Sequence, residues 1–371
     1  MNTASPEQPT PHGGDTMSSR SPGHRFSRRA LTRATAAVAG ATLLGGLTLS
    51  VSTAAAQPKP GPRGFGSVST APHLPAGFTK TFESRYVQAN GIRQHVVVGG
   101  VGPPLLLVHG WPENWYAWRF LMPELARNYT VIAVDQRGIG LSEKTTGGYD
   151  AATLASDLAA LMTELGHQRF AVVGHDTGYI IGYALAADHR DRVDRLVVAE
   201  IPGPPGVGDP MDAPPLFLSE FLNNKLWHIP FNRVNDELIV DMVNSNADAY
   251  YRYEFSIQGG GATLPEYAID YYVDLYTRDK DALRATFGLY RAWEVTVQQN
   301  GERQNTKLTI PVLGIGGANS WGPFAGAGIT PAANDVQTVV VPDTGHWVAE
   351  QAPEEMLEAL STFLEPYRAA A

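Results

Sequence analysis

Phe170-Ala171-Val172-Val173-Gly174-His175-Asp176-Thr177-Gly178 decides how this chain is read. Four apolar residues of strand character run into a glycine, an aspartate stands two positions later, and a second glycine follows two positions after that. The next residues, Tyr179 to Asp188, have the composition of a helix. A strand that turns this sharply into a helix strains its central residue and leaves no room for side chains two positions away, which only glycine satisfies. The pattern is that of a nucleophile elbow, with aspartate where G-x-S-x-G places serine. Its carboxylate would stand at a helix N-terminus, where the dipole favours the ionised form. In isolation G-x-D-x-G also describes a surface turn, since aspartate tolerates positive φ. The strand before it and the helix after it favour the nucleophile.

Outward from the elbow, short apolar runs recur at Gln94 to Val98, Leu105 to Val108, Thr130 to Val134 and Arg195 to Ala199, alternating mostly with helical stretches. This rhythm predicts an α/β fold with a mostly parallel central sheet flanked by helices. From Gly203 to about Asn300 the rhythm stops. That region is dense in Tyr, Phe, Trp and Asn, has helical spacing over Asp236 to Tyr253 and Tyr267 to Trp293, and reads as a helical cap. Strand character returns at Ile310 to Ile315 and Thr338 to Val341, and a closing helix follows from Pro353 to Leu364. One sheet interrupted by a lid is the economical arrangement, with core segments 81–202 and 301–371 and the cap over 203–300.

An aspartate nucleophile needs a base, a group to orient that base, and donors for a developing oxyanion. His346, in Asp343-Thr344-Gly345-His346-Trp347, follows the last strand and precedes the last helix, the place for the base. A loop histidine is more often a solvated or capping residue; the elbow upstream reverses that weighting. For the orienting acid, the loop Gly316-Gly317-Ala318-Asn319-Ser320 offers no carboxylate, whereas Val197-Val198-Ala199-Glu200-Ile201-Pro202 closes an apolar run with Glu200. An acid there is hard to explain as surface decoration, although an exposed strand tip is the plain alternative. Leu107-Val108-His109-Gly110-Trp111-Pro112-Glu113 ends a strand in His-Gly, which lets the next amide turn inward. The backbone N–H groups of Trp111 and Thr177 are therefore the expected oxyanion hole. His109 and the segment Asp135 to Ser142 read as scaffold, Ser142 lacks an elbow of its own, and Pro112 is a candidate for a cis bond.

The chain contains no cysteine, which excludes a disulfide framework, a thiolate metal site and a thiol nucleophile. Its net charge of -9, with no basic cluster beyond the N-terminus, argues against nucleic acid or an anionic membrane as partner and leaves small neutral ligands open. Near the start, Ser27-Arg28-Arg29-Ala30-Leu31-Thr32 precedes a mildly apolar run from Ala36 to Val51 and then Ser52-Thr53-Ala54-Ala55-Ala56. Charge, apolar run and small residues in that order predict a signal peptide over 1–56, and the paired arginines point to twin-arginine export, to the cell envelope or the extracellular space of a bacterium. Residues 57–80, rich in Pro and Gly, read as a linker.

From about residue 82 onward the chain resembles the epoxide hydrolases of the α/β-hydrolase fold, through H-G-W-P, D-Q-R-G-x-G-x-S, G-H-D-x-G and the terminal G-H-W. Within them it is similar to the secreted bacterial Cif-like group, through Glu200 in A-E-I-P, Leu226-Trp227-His228, and Phe287-Gly288-Leu289-Tyr290-Arg291-Ala292. The resemblance implies that His228 and Tyr290 hold the epoxide oxygen, that Asp176 forms an ester with a ring carbon, and that His346, steadied by Glu200, activates the water that cleaves it. It calls for no cofactor and no metal, only a small epoxide and water. It admits a homodimer, though no residue argues for one. Gly288-Leu289 before Tyr290 and Thr177 after the nucleophile depart from the usual pattern, so pocket shape does not carry over. A haloalkane or haloacid dehalogenase uses the same aspartate, histidine and acid. Thr177 and Trp111 stand where the haloalkane enzymes commonly carry Trp and Asn, and Thr177-Gly178-Tyr179 lacks the arginines of fluoroacetate dehalogenases. A non-catalytic exported binding protein that kept the fold is the rival from another class.

Overall fold

The structure, a computed structural model, describes residues 61–208 and 218–370. The expected signal peptide lies outside them, as does the start of the expected linker. The described residues belong to one compact unit. In chain order they form β1 (Phe82–Ala89), β2 (Ile92–Gly99), β3 (Pro104–Val108), β4 (Thr130–Asp135), α1 (Ala151–Glu164), β5 (Phe170–His175), α2 (Thr177–Asp188) and β6 (Val193–Ala199). A run of helices follows: α3 (Glu220–Leu226), α4 (His228–Asn232), α5 (Asp236–Ser245), α6 (Ala247–Gln258), α7 (Glu266–Tyr276), α8 (Lys280–Thr286), α9 (Gly288–Arg291) and α10 (Trp293–Arg303). The chain then returns to the sheet with β7 (Leu308–Gly317) and β8 (Ala333–Val341) and closes with α11 (Pro353–Ala369).

The eight strands make one sheet in the order β1-β2-β4-β3-β5-β6-β7-β8. β1, β2 and β4 pair antiparallel, and every pair from β4 to β8 is parallel. The central strands are apolar at consecutive positions because each supplies both faces, alternate residues pointing opposite ways. Leu105, Leu107, Ala171, Val173 and Val197 join one core, shared with α11 and several cap helices. Leu106, Val108, Val172, Leu196 and Val198 join the other, under α1 and α2. The same two-sidedness explains why α2 is buried at nearly every position.

Several boundaries differ from the sequence expectation for physical reasons. Residues 61–80 are not a free linker. Val68 and Phe78 are buried, the Trp115 indole donates to the Gly66 carbonyl at 2.8 Å, and the Val68 amide donates to Ser84 Oγ at 3.0 Å. Their Pro and Gly content shapes a packed irregular segment, held by these few contacts. β8 begins five residues before Thr338 because, as an edge strand, its first half is polar and exposed at Asn334 and Asp335. The helical stretch from Asp236 breaks at Asn246 (φ -145°) into α5 and α6. α10 runs past residue 300 to Arg303, whose guanidinium binds Asp188 of α2.

Candidate active site

Trp111, Asp176, Thr177, Glu200 and His346 stand at or just beyond the C-terminal ends of β3, β5, β6 and β8, and His228 and Tyr290 come from α4 and α9 among the helices between β6 and β7. The elbow has the strain that its glycines foretell: Asp176 adopts φ 51° and ψ -113° between β5 and α2. A Cβ on Gly174 would run into the Gly178 carbonyl, and one on Gly178 into the Val108 carbonyl of β3. Both positions therefore require glycine, and the crowding locks the Asp176 side chain at the start of α2.

One carboxylate oxygen of Asp176, Oδ1, accepts the Trp111 amide at 2.9 Å, and the Thr177 amide, the first of α2, favours the ionised carboxylate. The peptide bond between Trp111 and Pro112 is cis. The other oxygen, Oδ2, lies 3.8 Å from His346 Nε2. His346 turns its Nδ1 to Glu200 Oε2 at 3.2 Å. Glu200 itself sits at φ 60° just past β6, fully buried, and its second oxygen accepts the Gly317 amide. The end of β7, where no carboxylate stands, thus serves by solvating this one.

Burial sets the charge states. It pushes the Asp176 carboxyl up to about 6, against the pull of His175 and the two amides. It raises Glu200 to about 7 despite the Gly317 bond. His346 falls well below the usual imidazole range, first from burial and then from the nearby cationic groups His175 and Lys225. At neutral pH the site therefore holds an ionised Asp176 and a neutral His346, the state a nucleophile and a waiting base require.

Across a cavity of about 210 Å³ from Asp176 and His346 stand His228 and Tyr290. The His228 ring stacks on Trp111 at 5.4 Å and meets Tyr290 edge-on at 5.5 Å. The Tyr290 hydroxyl is buried without a hydrogen-bond partner. Burial and the Asp176 charge hold its pKa well above 10, so it is a donor with nothing to donate to. Ile180, Ile201, Leu226 and Trp293 supply apolar walls.

Sequence reading missed two groups. Behind the elbow, His175 Nδ1 lies 3.1 Å from Glu113 and its Nε2 donates to the His346 carbonyl at 2.8 Å. Burial alone would lower its pKa, but Glu113 holds it up at about 9, so it is a buried cation that fixes the base loop. In the cavity wall, Lys225, Glu254 and Gln258 are also buried. Glu254 and Gln258 share with Tyr251 and Phe255 one buried stripe of α6 at helical spacing, half of it polar, and only the packing shows which face that is. His109 and Ser142 are scaffold, bonded to Gly110 and to Asp135. Among the described residues no cluster of three or more His, Cys, Asp or Glu has metal-binding geometry.

Residues 103–353 match the family described as alpha/beta hydrolase fold. The soluble epoxide hydrolase of Corynebacterium sp. (strain C12) is 33% identical over 287 residues, 75% of this chain and 96% of that protein. The fluoroacetate dehalogenase of a Burkholderia sp. is 30% identical over 308 residues, covering 77% and 95%. Among solved structures, the epoxide hydrolase CorEH without ligand superposes with a TM-score of 0.71 at 30% identity, over 77% of this chain and 99% of that one. The family match over residues 103–353, with relatives covered over nearly their whole length, places the chain in the α/β-hydrolase fold family.

Proposed function

We propose that the chain is an epoxide hydrolase that forms a vicinal diol through an ester on Asp176. The observation that carries the reading is the opposition, across one cavity, of the Asp176 carboxylate to His228 and the unpartnered Tyr290 hydroxyl. An epoxide opens when a nucleophile attacks a ring carbon while the ring oxygen, becoming an alkoxide, receives hydrogen bonds or a proton. Asp176 Oδ2 attacks, and Oδ1 stays with the Trp111 and Thr177 amides as the ester carbonyl. Water beside His346 Nε2 then adds to that carbonyl. His346 takes its proton, Glu200 steadies the imidazolium, and the two amides hold the tetrahedral oxyanion. Collapse returns the proton to the departing hydroxyl and regenerates the aspartate.

Trp111 and the cavity lining weigh against the halide-releasing alternative. The Trp111 indole N–H donates to Thr286 Oγ1 at 2.5 Å and is not free for a halide. No arginine lines the cavity among the described residues. Lys225, the cation that does line it, is the feature a haloacid dehalogenase would exploit. The deciding experiment supplies the protein with epoxides, haloalkanes and haloacids, follows diol and halide, and weighs the intact His346→Gln protein for a trapped ester. Diol, with an adduct that disappears in Asp176→Asn, supports the proposal. Halide without diol moves the chain to the dehalogenases, and stoichiometric binding insensitive to Asp176→Asn moves it to the binding proteins. Kinship with the Cif-like group is supported by His228 and Tyr290, and twin-arginine export by Arg28-Arg29 and the run that follows.

A further inference from the structure

His228 has two ring nitrogens, and only one of them has a reason to face substrate. Nδ1 lies 3.1 Å from Glu254 Oε1, on α6, and makes no hydrogen bond to it or to any other group. Nε2 is left for the cavity, which both residues line. Glu254 is 1% exposed, its Oε1 accepts the Gln258 amide at 3.0 Å, and its Oε2 has no hydrogen-bond partner. Rotation of the carboxyl about its last bond presents that free oxygen to Nδ1. A buried carboxylate with one empty oxygen, beside an imidazole with an empty nitrogen, is an expensive arrangement in which both groups want the same proton.

Resting on the epoxide reading above, we propose that Glu254 is the proton source for ring opening, its carboxyl proton entering His228 at Nδ1 as the Nε2 proton leaves for the ring oxygen. The step balances. The Asp176 oxygen forms a bond to a ring carbon, the carbon–oxygen ring bond breaks, and its electron pair stays on oxygen. That oxygen takes the Nε2 proton, Nδ1 takes the Glu254 proton, and His228 ends as its other neutral tautomer. The negative charge has moved from Asp176 to Glu254. Ester hydrolysis later leaves Asp176 with a proton to lose, and a proton returned through the cavity to His228 Nε2 sends the Nδ1 proton back to Glu254, restoring both groups. Without such a donor His228 would finish as an anion, or the alkoxide would rest on hydrogen bonds alone.

The surrounding charges fit this direction of transfer. Burial raises the Glu254 carboxyl to about 8, and the Asp176 charge adds to that; Gln258, Trp227 and Lys225 pull the other way. Burial drops His228 to about 3, so the pair is neutral at rest, a shared proton rather than an ion pair. Tyr250 and Tyr290 also face Glu254, and both stay protonated, their pKa values raised well above 10 by burial. His346 faces His228 and stays neutral. Lys225 keeps its ammonium on the Gln258 carbonyl at 3.1 Å and becomes the natural counter-ion once Glu254 ionises.

Glu254 acts through His228, so it is a positioning residue whose proton must be read directly. The test follows ester formation and ester decay separately, by rapid quench and intact mass, from pH 5 to 10 in the full protein and in Glu254→Gln and Glu254→Asp. In the parent, ester formation should rise as Asp176 ionises near pH 6 and fall as Glu254 deprotonates near pH 8. Glu254→Gln should form ester about a hundredfold more slowly, without the alkaline fall, while its ester decays at the parent rate. Glu254→Asp should recover part of the rate and show an alkaline fall displaced from the parent's. Formation in Glu254→Gln at the parent rate, or slowed but with the fall near pH 8 intact, overturns the relay. If Glu254→Gln does not fold, Glu254→Asp decides alone, an unchanged alkaline fall after a shift of the carboxyl being the adverse result. A parent protein that forms no ester with any epoxide removes the epoxide reading itself and the relay with it.

Discussion

Tyr290 and Asp176 each pit stability against chemistry. The Tyr290 hydroxyl is buried and unpartnered, which costs the folded state about 1–3 kcal/mol. Tyr290→Phe is therefore expected to raise the denaturant midpoint while slowing ester formation by about a hundredfold, the effect of one removed transition-state donor. A variant that loses stability as well as rate would make Tyr290 a packing residue. Asp176 gives a pH signature. Burial raises its carboxyl from 3.8 to about 6 on folding, so the folded state binds this proton more tightly than the unfolded chain. Stability from this group is lost as pH climbs through that window, and the cost is fully present above about 6. Asp176→Asn should accordingly be more stable than the parent by about 1–3 kcal/mol at pH 8 and by much less at pH 4, in paired thermal melts. Asp176 was legible because its neighbours must be glycine; Glu254 was not, because a lone acid in α6 has no meaning until the face that the helix buries is known.

The elbow between β5 and α2 is the element on which the site depends. Gly178 passes so close to the Val108 carbonyl of β3 that any Cβ displaces backbone. Gly178→Ala should cost more than about 3 kcal/mol in urea unfolding, against about 1 kcal/mol or less for Gly147→Ala, where nothing stands within 4 Å. Equal losses at the two positions would mean that the elbow yields. The parallel strands were legible from their continuous apolar runs, since burial on both faces erases the polar alternation. β8 was half-legible, because an edge strand looks polar where it meets water. The cap helices were legible as a region but not as elements: α5 and α6 share one amphipathic rhythm, and only the backbone at Asn246 reveals the break.

Across the molecule, the segment 61–80 ties the sheet to the cap side of the core, and its Pro and Gly content concealed this. Tyr116 donates to the Pro72 carbonyl at 2.5 Å, and Phe78 packs against Trp115 and Phe82. A chain beginning at residue 82 should melt at least about 5 °C lower than one beginning at residue 58. Equal melting of the two would return the segment to the status of a linker. The site is likewise a property of the whole, since Asp176, Glu200 and His346 come from three strand ends and His228 with Tyr290 from the cap. In it, water attacks the enzyme's own ester and never the epoxide. Enzyme in excess over an epoxide, in water enriched in oxygen-18, tests this in one turnover by mass spectrometry. The first diol should be unlabelled and the peptide containing Asp176 should gain the heavy oxygen; label in the first diol, with Asp176 unlabelled, would contradict the account.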